Sequence, residues 1–494
     1  MTEVLLESLD LLFLPINFFV LVVGLAVGIV MGAIPGMTTP MAVALALPFT
    51  FSLSPVAGVL LLLGIYKGGL YGGSISAILI RTPGTPAAAC TVLDGGPLAQ
   101  KGQSKKALQM ALYSSCLADF MSNLALIGLT GYLATLALRF GPPEFFTLIL
   151  FSLTIVAAVA GKSLPLGLLS GLLGLVLATV GLDIVYGTQR FVFGSPDLMA
   201  GLNFLPLLIG LFAIPEVISY YASKNNEEFR PIRHSGEQLS FGEFKKSIRT
   251  IFRGSVIGVV LGVIPGIGGA PAAFLSYSEA RRTSKTPEEF GNGSLEGVAA
   301  SESGNSGVSG ATMVPLLALG VPGDVTTAVI LGAFMIHGLR PGPSMFSENE
   351  SMIYAIFIGL IFASLIMLIL GFLAIRMASK ITQVSPQYLY PTILVFCVFG
   401  SYAVNSSSFD VLVMIIFGAL GYAFKRLQIP TAPLLIGFIL GPLLEDSFRQ
   451  SIRISDGSFF IFFQSYICVL FWFLTVASVG SIVRARSKNL VLSG

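Results

Sequence analysis

The chain has 494 residues, of which 54% are hydrophobic and only 11% are charged, and its mean hydropathy is +0.87. Soluble globular proteins carry about 25% charged residues, so this composition excludes a soluble domain and indicates a polytopic membrane protein. The formal net charge of +3 gives no indication of nucleic-acid binding, and the four cysteines follow neither metal-ligand spacing nor a disulfide framework.

The first apolar run has an acidic leader, with Glu3, Glu7 and Asp10 and no basic residue. It is therefore predicted to be a retained span and not a cleaved signal peptide. A membrane-spanning helix needs about 20 mainly apolar residues. Clear candidates for such helices are residues 18–34, 107–138, 145–160, 164–180, 353–375 and 459–483. We expect an all-α membrane protein.

Two apolar helices are interrupted at matching positions in the two halves of the chain. Gly24, Gly28, Gly32, Pro35 and Gly36 recur at identical spacing as Gly254, Gly258, Gly262, Pro265 and Gly266. Two further pairs follow in the same order: Pro83-Gly84 with Pro322-Gly323, and Pro206 and Pro215 with Pro433 and Pro442. A Pro-Gly pair ends a helix, and broken helices at corresponding positions of two halves indicate the substrate site of a secondary transporter.

Basic residues predict how the two halves are oriented, because cytoplasmic loops collect Lys and Arg. Loops that are basic in one half have uncharged or acidic counterparts in the other, which is typical of inverted-topology repeats. We predict a first inverted repeat at 1–222, a cytoplasmic basic connector at 223–253, a second repeat at 254–458 and an extra C-terminal helix and tail at 459–494. The total is about 11 full spans and two hairpins, and whether the hairpins are re-entrant stays open. The N-terminus is predicted to be periplasmic and the C-terminus cytoplasmic.

The interrupted segments are the predicted substrate site. The stretch Tyr66–Ser76, between the two breaks of the first half, and its counterpart Glu302–Ser309 are expected to be unwound. Unwound backbone and helix N-termini favour bound anions, carboxylates in particular, although carbonyl and hydroxyl oxygens would equally suit Na⁺. The glycines at every fourth residue are more simply explained by close helix packing. The candidate substrate-binding residues are Pro35, Gly36, Thr38, Thr39, Lys67, Gly72, Gly73, Ser74, Arg81, Thr82, Pro83, Gly84, Thr85, Pro265, Gly266, Gly268, Gly269, Asn305, Pro322, Gly323 and Thr326.

Charged residues within apolar segments point to function, because a charge inside the membrane costs about 3 kcal/mol or more unless it is paired or hydrated. Lys67 and Arg81 could face one cavity and neutralise a carboxylate, although Arg81 could instead extend to the membrane surface. Asp119 is a candidate cation or proton ligand, or else a buried partner of Lys67 or Arg81. The candidate ion-coupling residues are Asp119, Glu302, Ser306, Asp324 and Thr327.

No enzymatic site is predicted. Gly161-Lys162-Ser163 looks like the end of a P-loop, but Val156 stands where the first glycine should be. We therefore expect no catalytic residues, metal or cofactor, and a Na⁺ or H⁺ gradient as the source of energy. A channel and a solitary transporter without partners remain as alternatives.

Specific motifs resemble those of the large membrane subunit of the tripartite tricarboxylate transporters. They include Gly32-Ala-Ile-Pro-Gly36, Thr82-Pro-Gly-Thr-Pro86, Gly262-Val-Ile-Pro-Gly266 and Gly320-Val-Pro-Gly323. The resemblance implies a bacterial inner-membrane symporter that imports a carboxylate with a small four-helix membrane subunit and a periplasmic substrate-binding protein. Two positions depart from the family pattern: Arg81 stands where Asn is frequent, and Ser306 where Asn follows Asn305. Both leave the exact carboxylate and the coupling ion open.

Overall fold

The computed structural model describes residues 2–159, 163–183, 186–222, 237–381 and 386–492. Residues 223–236 of the predicted connector lie outside this part of the chain, and residues 241–253 form the first part of a helix that begins at Phe241. The described residues of the first half form helices α1 Thr2–Phe13, α2 Pro15–Ala33, α3 Thr39–Ala46, α4 Pro55–Leu79, α5 Ala88–Gln100, α6 Ser104–Ala137, α7 Pro142–Val159, α8 Leu164–Ala178, α9 Phe204–Phe212 and α10 Ile214–Ala222.

The second half is likewise helical. Its helices are α11 Phe241–Val263, α12 Gly269–Thr283, α13 Leu295–Ser306, α14 Val308–Ala311, α15 Met313–Leu319, α16 Val325–Ile336, α17 Met345–Glu348, α18 Glu350–Ile381, α19 Pro386–Asn405, α20 Ser408–Arg426, α21 Thr431–Ile454 and α22 Tyr466–Leu492. Short 3₁₀ turns lie at Leu47–Ser52, Pro196–Leu198, Pro287–Glu289 and Phe459–Phe463. Between α8 and α9, strands β1 Gly181–Leu182 and β2 Gln189–Arg190 pair antiparallel, with Gly181 opposite Arg190.

Eight helices in the described part of the chain are long and apolar enough to cross a membrane. Five more apolar stretches of 10–17 residues are shorter than a full span. They include α3 with the 3₁₀ turn that follows it, α16 and the beginning of α22. The predicted all-α, multi-pass class is confirmed. The number of spans and the inverted orientation of the halves stay predictions.

The predicted helix breaks fall where the sequence places them. Helix α2 ends at Ala33 and α11 at Val263, and the next helices start at Thr39 and Gly269, so both junctions are 230 residues apart (263 − 33 and 269 − 39). Gly36 and Gly266 have φ values of 84° and 86°, a left-handed conformation that glycine adopts without strain. Pro83-Gly84 lies between α4 and α5, and Pro322-Gly323 between α15 and α16.

One expectation about these breaks is wrong. The glycine-rich stretch 66–76 was expected to be unwound, but it lies inside the continuous helix α4. Its glycines permit helix contact instead. A Cβ on Gly28 would lie 2.9 Å from the Gly69 nitrogen, and one on Gly32 would lie 3.0 Å from the Gly73 nitrogen. Because lipid provides no hydrophobic drive between helices, such close backbone packing is what holds α2 and α4 together. The second half differs, since short breaks at Gly307 and Thr312 separate α13, α14 and α15.

The two halves pack into one another. Helix α6 of the first half packs against α13 and α18 of the second, α8 packs against α21, and α9 packs against α20. If the predicted repeat holds, α8 corresponds to α20 and α9 to α21, and each half then supplies the same kind of partner to the other. This exchange brings the interrupted helices of both halves to a common centre.

A charged network fixes the start of α11 at the edge of the apolar region. Ser240 and Glu243 form a capping box, and Lys106 lies 3.0 Å from both Glu243 and Glu237. The backbone N–H and hydroxyl of Ser240, helped by the Lys106 ammonium, lower the pKa of the Glu243 carboxyl to about 2. The Glu243 carboxylate of the capping box therefore stays ionised at every physiological pH.

The low pKa predicts an acid-sensitive first turn of α11. The folded pKa lies below the unfolded value of 4.5, so the stabilisation is complete above pH 4.5 and is lost as the pH falls towards 2. Amide hydrogen exchange at residues 242–246, corrected for the intrinsic rate, should show constant protection from pH 5 to 8 and weaker protection below pH 4. In Glu243→Gln this acid dependence should disappear. Equal acid dependence in the wild-type protein and the variant would show that Glu243 is not the group responsible.

Candidate functional site

The interrupted helices of both halves surround one cavity of about 480 Å³. This size is within the range of small-molecule sites, which are roughly 300–1,000 Å³. The predicted site residues that line it are Thr39, Thr85, Gly266, Gly268, Gly269, Asn305, Asp324 and Thr326. A backbone hydrogen bond of 2.7 Å from the Gly266 N–H to the Gly323 carbonyl ties the two breaks of the second half together beside it.

Four helices begin at the wall of this cavity. Helix α3 starts at Thr39, α5 at Ala88, α12 at Gly269 and α16 at Val325, and residues at or next to each start line the cavity. The first N–H groups of a helix have no partner within it, and its N-terminus carries about half a positive charge. Among the described residues of the lining, none is lysine, arginine or histidine. Positive charge in the described lining is therefore available only from the backbone dipoles at these helix starts, and Asp324 adds a carboxylate.

Two buried polar atoms of the lining have no hydrogen-bond partner in the described part of the chain. They are the Thr39 hydroxyl and the Asn305 Oδ1, on side chains that are 4% and 1% exposed. The other end of the Asn305 amide donates to the Leu70 carbonyl at 3.4 Å. Buried polar groups are nearly always satisfied, so these two atoms are suited to contact a polar ligand.

Asp324 contributes a carboxylate to the cavity and is held by neighbouring groups. It caps α16, with Oδ1 accepting from the Thr327 N–H at 2.7 Å, and Oδ2 accepts from the Tyr66 hydroxyl at 3.0 Å. Tyr66 also lies 3.1 Å from the Thr312 hydroxyl. The Thr327 hydroxyl completes the cap by accepting from the Asp324 N–H. Thr327, a predicted ion-coupling residue, therefore has a structural partner and does not line the cavity.

Lys67 is buried and does not line the cavity. Its ammonium donates to Asp119 at 2.5 Å and to Asn123 at 2.9 Å. Asp119 also accepts from the hydroxyls of Ser309 and Ser364. The expectation that Lys67 faces the substrate directly does not hold in this structure, and the alternative pairing of Asp119 with Lys67 is the one found. Burial explains the pairing, because an unpaired charge here would be very costly.

Arg81 also lies away from the cavity. It is exposed just after α4, at a φ of 57°, with its side chain next to Gly96. The expectation that Lys67 and Arg81 share one cavity is thus not met. Extension of Arg81 towards the surface, the other interpretation of the sequence, agrees with its exposure.

Glu302 and Ser306 are buried on α13. Glu302 accepts hydrogen bonds from Ser74 at 2.6 Å, from Ser115 at 2.9 Å and from Thr91. It lies one helical turn before Asn305, which lines the cavity.

The remaining predicted residues support the cavity from behind or lie beside it. Thr38 lines a second cavity of about 360 Å³, which shares Pro40, Pro86, Val325 and Ala432 with the first. A Cβ on Gly84 would lie 3.0 Å from the Gly73 Cα, so that break is packed against α4. The other predicted residues that do not line the first cavity are Pro35, Gly36, Gly72, Gly73, Ser74, Thr82, Pro83, Pro265, Pro322 and Gly323.

Sequence reasoning missed most of the apolar lining. Val156 of α7 and Ala432 and Ile436 of α21 lie far along the chain from every interrupted helix. Leu70 and Phe274 lie on elements that the sequence had singled out, but nothing in the pattern shows which face they occupy. Pro40, Pro86 and Pro271 follow the breaks directly, and this proximity was the one signal that would have indicated them.

Comparison with known proteins gives two kinds of match. A family profile described as the tripartite tricarboxylate transporter TctA family matches residues 18–436. An Agrobacterium vitis protein described as an uncharacterized 52.8 kDa protein in the TAR-I ttuC′ 3′ region is 37% identical over 482 residues, which cover 97% of this chain and 96% of the relative. A second A. vitis protein, from the TAR-II ttuC′ 3′ region, is 39% identical over 205 residues, covering 42% of this chain and 85% of that protein. No solved structure matches.

Proposed function

The chain belongs to the tripartite tricarboxylate transporter TctA family, and we propose that it is the large membrane subunit of a secondary transporter that imports a carboxylate anion. Family membership indicates a transporter and not an enzyme, as the motifs predicted. The proposed partners are a small four-helix membrane subunit and a periplasmic substrate-binding protein. The proposed location of the chain is the inner membrane of a bacterium. The transport is proposed to be symport with Na⁺ or H⁺.

The convergence of four helix N-termini on one cavity carries this proposal. Backbone N–H groups at helix starts bind carboxylates and phosphates without a basic side chain. The free Thr39 hydroxyl can donate to a substrate carboxylate, and the free Asn305 Oδ1, which only accepts, suits a hydroxyl or a protonated carboxyl of the substrate. The apolar remainder of the wall, which includes Leu70, Val156 and Phe274, suits the carbon skeleton of a small organic acid.

Alternating access is the proposed mechanism, on two inverted repeats. The equal 230-residue offset of the helix ends and the matching φ values of Gly36 and Gly266 support the repeat. The second cavity supports a route away from the site, because it shares a wall with the first and is also lined by Lys425 and Glu216, which pair at 2.8 Å. Lys425 and Arg426 lie in the last turn of α20, and basic residues at helix ends favour the cytoplasmic side, so this route would lead to the cytoplasm.

Transport by reconstituted protein tests the proposal. The chain is placed in proteoliposomes with its cognate small subunit and binding protein, and uptake of a panel of labelled mono-, di- and tricarboxylates is measured under an imposed Na⁺ or H⁺ gradient. We expect saturable, gradient-driven uptake that requires the binding protein. Uptake without the binding protein would favour the solitary transporter, and non-saturable flow down the anion gradient would favour a channel. The absence of any carboxylate flux would refute the proposal.

Thr39→Val gives a sharper test of the cavity. Valine keeps the shape of threonine but removes the hydroxyl, and a hydrogen bond to a charged group is worth about 1.5–3 kcal/mol. We expect the substrate concentration for half-maximal uptake to rise about 10- to 100-fold. Thr135→Val on α6, whose exposed hydroxyl bonds only to its own helix at the Gly131 carbonyl, serves as the matched control and should not change it. If both variants have the same substrate concentration for half-maximal uptake, the Thr39 hydroxyl does not contact the substrate.

A further inference from the structure

Glu302 is a buried acid that does not line the cavity. The side chain is fully buried at a point where α13 meets α4, α5 and α6. Each contact to its carboxylate comes from a neutral hydroxyl: Ser74 on α4, Thr91 on α5 and Ser115 on α6. Three different helices therefore supply donors to one acid.

Two other buried acids in the described part of the chain, Asp119 and Asp94, have partners that Glu302 lacks. Asp119 has the Lys67 ammonium. Asp94 accepts three backbone N–H groups, from Gly291, Gly293 and Ser294, together with the Tyr277 hydroxyl. These acids are stabilised as anions by a cation or by backbone dipoles.

No cation faces Glu302 from the described elements that pack on α13. The titratable groups that interact electrostatically with it are Tyr71 on α4 and Cys90 on α5, and neither is a cation. From α6, Cys116 interacts with Tyr71, and Asp119 is already paired with Lys67. The α11 and α12 helices meet this part of α13 with Gly254, Gly258, Ala272 and Ser276, and α14 presents Ser309 to Asp119. An ionised Glu302 would therefore be a net negative charge in the membrane interior, which is costly even with hydroxyl donors.

The geometry favours a proton over a metal cation as the neutralising ligand. The Ser74 and Ser115 hydroxyls lie 2.6 and 2.9 Å from the carboxylate oxygens, which are direct hydrogen-bond distances. A hard cation would have to enter between these oxygens, since it bonds each one at roughly 2.3–2.6 Å. Hydroxyl groups can also turn round and accept the proton of a carboxylic acid. The described residues contain no cluster of three or more His, Cys, Asp or Glu side chains.

The acid is connected to the substrate cavity through two helices. Asn305 follows Glu302 by one turn of α13 and lines the cavity, and it bonds to the carbonyl of Leu70, which also lines it. Leu70 in turn precedes Ser74 by one turn of α4. A negative charge on Glu302 would therefore lie directly behind the wall of a cavity built for anions. Protonation would remove that repulsion, so proton and carboxylate would each strengthen the binding of the other.

We propose that Glu302 binds the proton that this transporter moves together with its carboxylate substrate. The inference rests on the proposed function and names H⁺ as the coupling ion. One proton moves from the outside medium to the Glu302 carboxylate, neutralises it while the substrate is bound, and leaves to the cytoplasm after the substrate has been released. No bond other than that O–H is made or broken.

The test compares exchange with accumulation in Glu302→Gln. Glutamine has the shape of protonated glutamic acid but cannot release a proton. In proteoliposomes with the partner subunits, we expect the variant to exchange internal for external carboxylate at a rate within about threefold of wild type. Accumulation under an imposed pH gradient, and the proton uptake recorded by an entrapped pH-sensitive dye, should fall at least tenfold. Glu296→Gln is the matched control on the same helix, and it should keep both activities.

A second variant keeps the test decisive if Glu302→Gln does not fold. Ser115→Ala leaves the acid but removes one donor that stabilises its charged form, so the pH at which uptake is half-maximal should move upwards. An unchanged pH profile would overturn the proposal, as would wild-type proton uptake by Glu302→Gln or accumulation driven by Na⁺ without proton movement. If the wild-type protein exchanges no carboxylate at all, it is the proposed function that fails.

Discussion

Replacing Gly28 by leucine is expected to abolish the folded protein. A Cβ at this position would lie 2.8 Å from the Ile65 Cα and 2.9 Å from the Gly69 nitrogen, so any side chain has to push α2 away from α4. Because these contacts are with backbone atoms, no rotation of a side chain relieves them. Overpacking of a well-packed interior costs typically 1–3 kcal/mol, and four further carbon atoms at a backbone contact should exceed that. The yield of monodisperse protein after solubilisation, measured by size-exclusion chromatography, should fall to near zero.

Gly131→Leu is the matched control for this prediction. Gly131 lies on α6, and a Cβ there would meet no atom within 4 Å. The same substitution in a membrane helix should therefore give a normal yield and a normal melting temperature. A normal yield from Gly28→Leu would mean that α2 and α4 are not in close backbone contact, and the packing around the cavity would have to be revised.

Lys67→Met is expected to have the second largest effect, because it leaves Asp119 as an uncompensated buried charge. Removing one partner of a buried ion pair costs about 3–5 kcal/mol. The Asn123 amide and two serine hydroxyls would still contact the carboxylate, but they carry no positive charge. The melting temperature of the purified variant should drop by several degrees or the protein should fail to accumulate.

The double variant Lys67→Met with Asp119→Asn separates a structural from a substrate-binding role for Lys67. Both charges are absent. Ser309 and Ser364 donate to different oxygens of Asp119, so the asparagine oxygen keeps one of these bonds, and the other serine hydroxyl can turn to accept from the asparagine N–H. We expect thermal stability to recover and carboxylate exchange to be measurable. A stable double variant without exchange would restore the sequence-based prediction that Lys67 neutralises the substrate.

The family, the membrane class and the positions of the helix breaks were predictable from the sequence. Each depends on a local property: an apolar run of sufficient length, a Pro-Gly pair that ends a helix, or a motif such as Gly32-Ala-Ile-Pro-Gly36. The predicted meeting of the breaks also agrees with the structure, since residues beside Pro35, Pro83, Pro265 and Pro322 surround one cavity. The expected unwinding of α4 failed because its glycines serve as contact points for α2, and composition alone does not distinguish a flexible helix from a closely packed one.

Only the tertiary structure decided which candidate residues face the substrate cavity and which are used inside the protein. In the sequence, Lys67 is the more obvious partner for an anion, and Asn305 is one polar residue among several. In the structure Lys67 is paired with Asp119, and Asn305 and Thr39 present unbonded polar atoms at the cavity. The direction of a side chain depends on the rotation of its helix and on the neighbours brought by distant segments such as α7 and α21. Helix length and helix ends are determined by consecutive residues. The lining of a site is determined by packing between residues that are hundreds of positions apart.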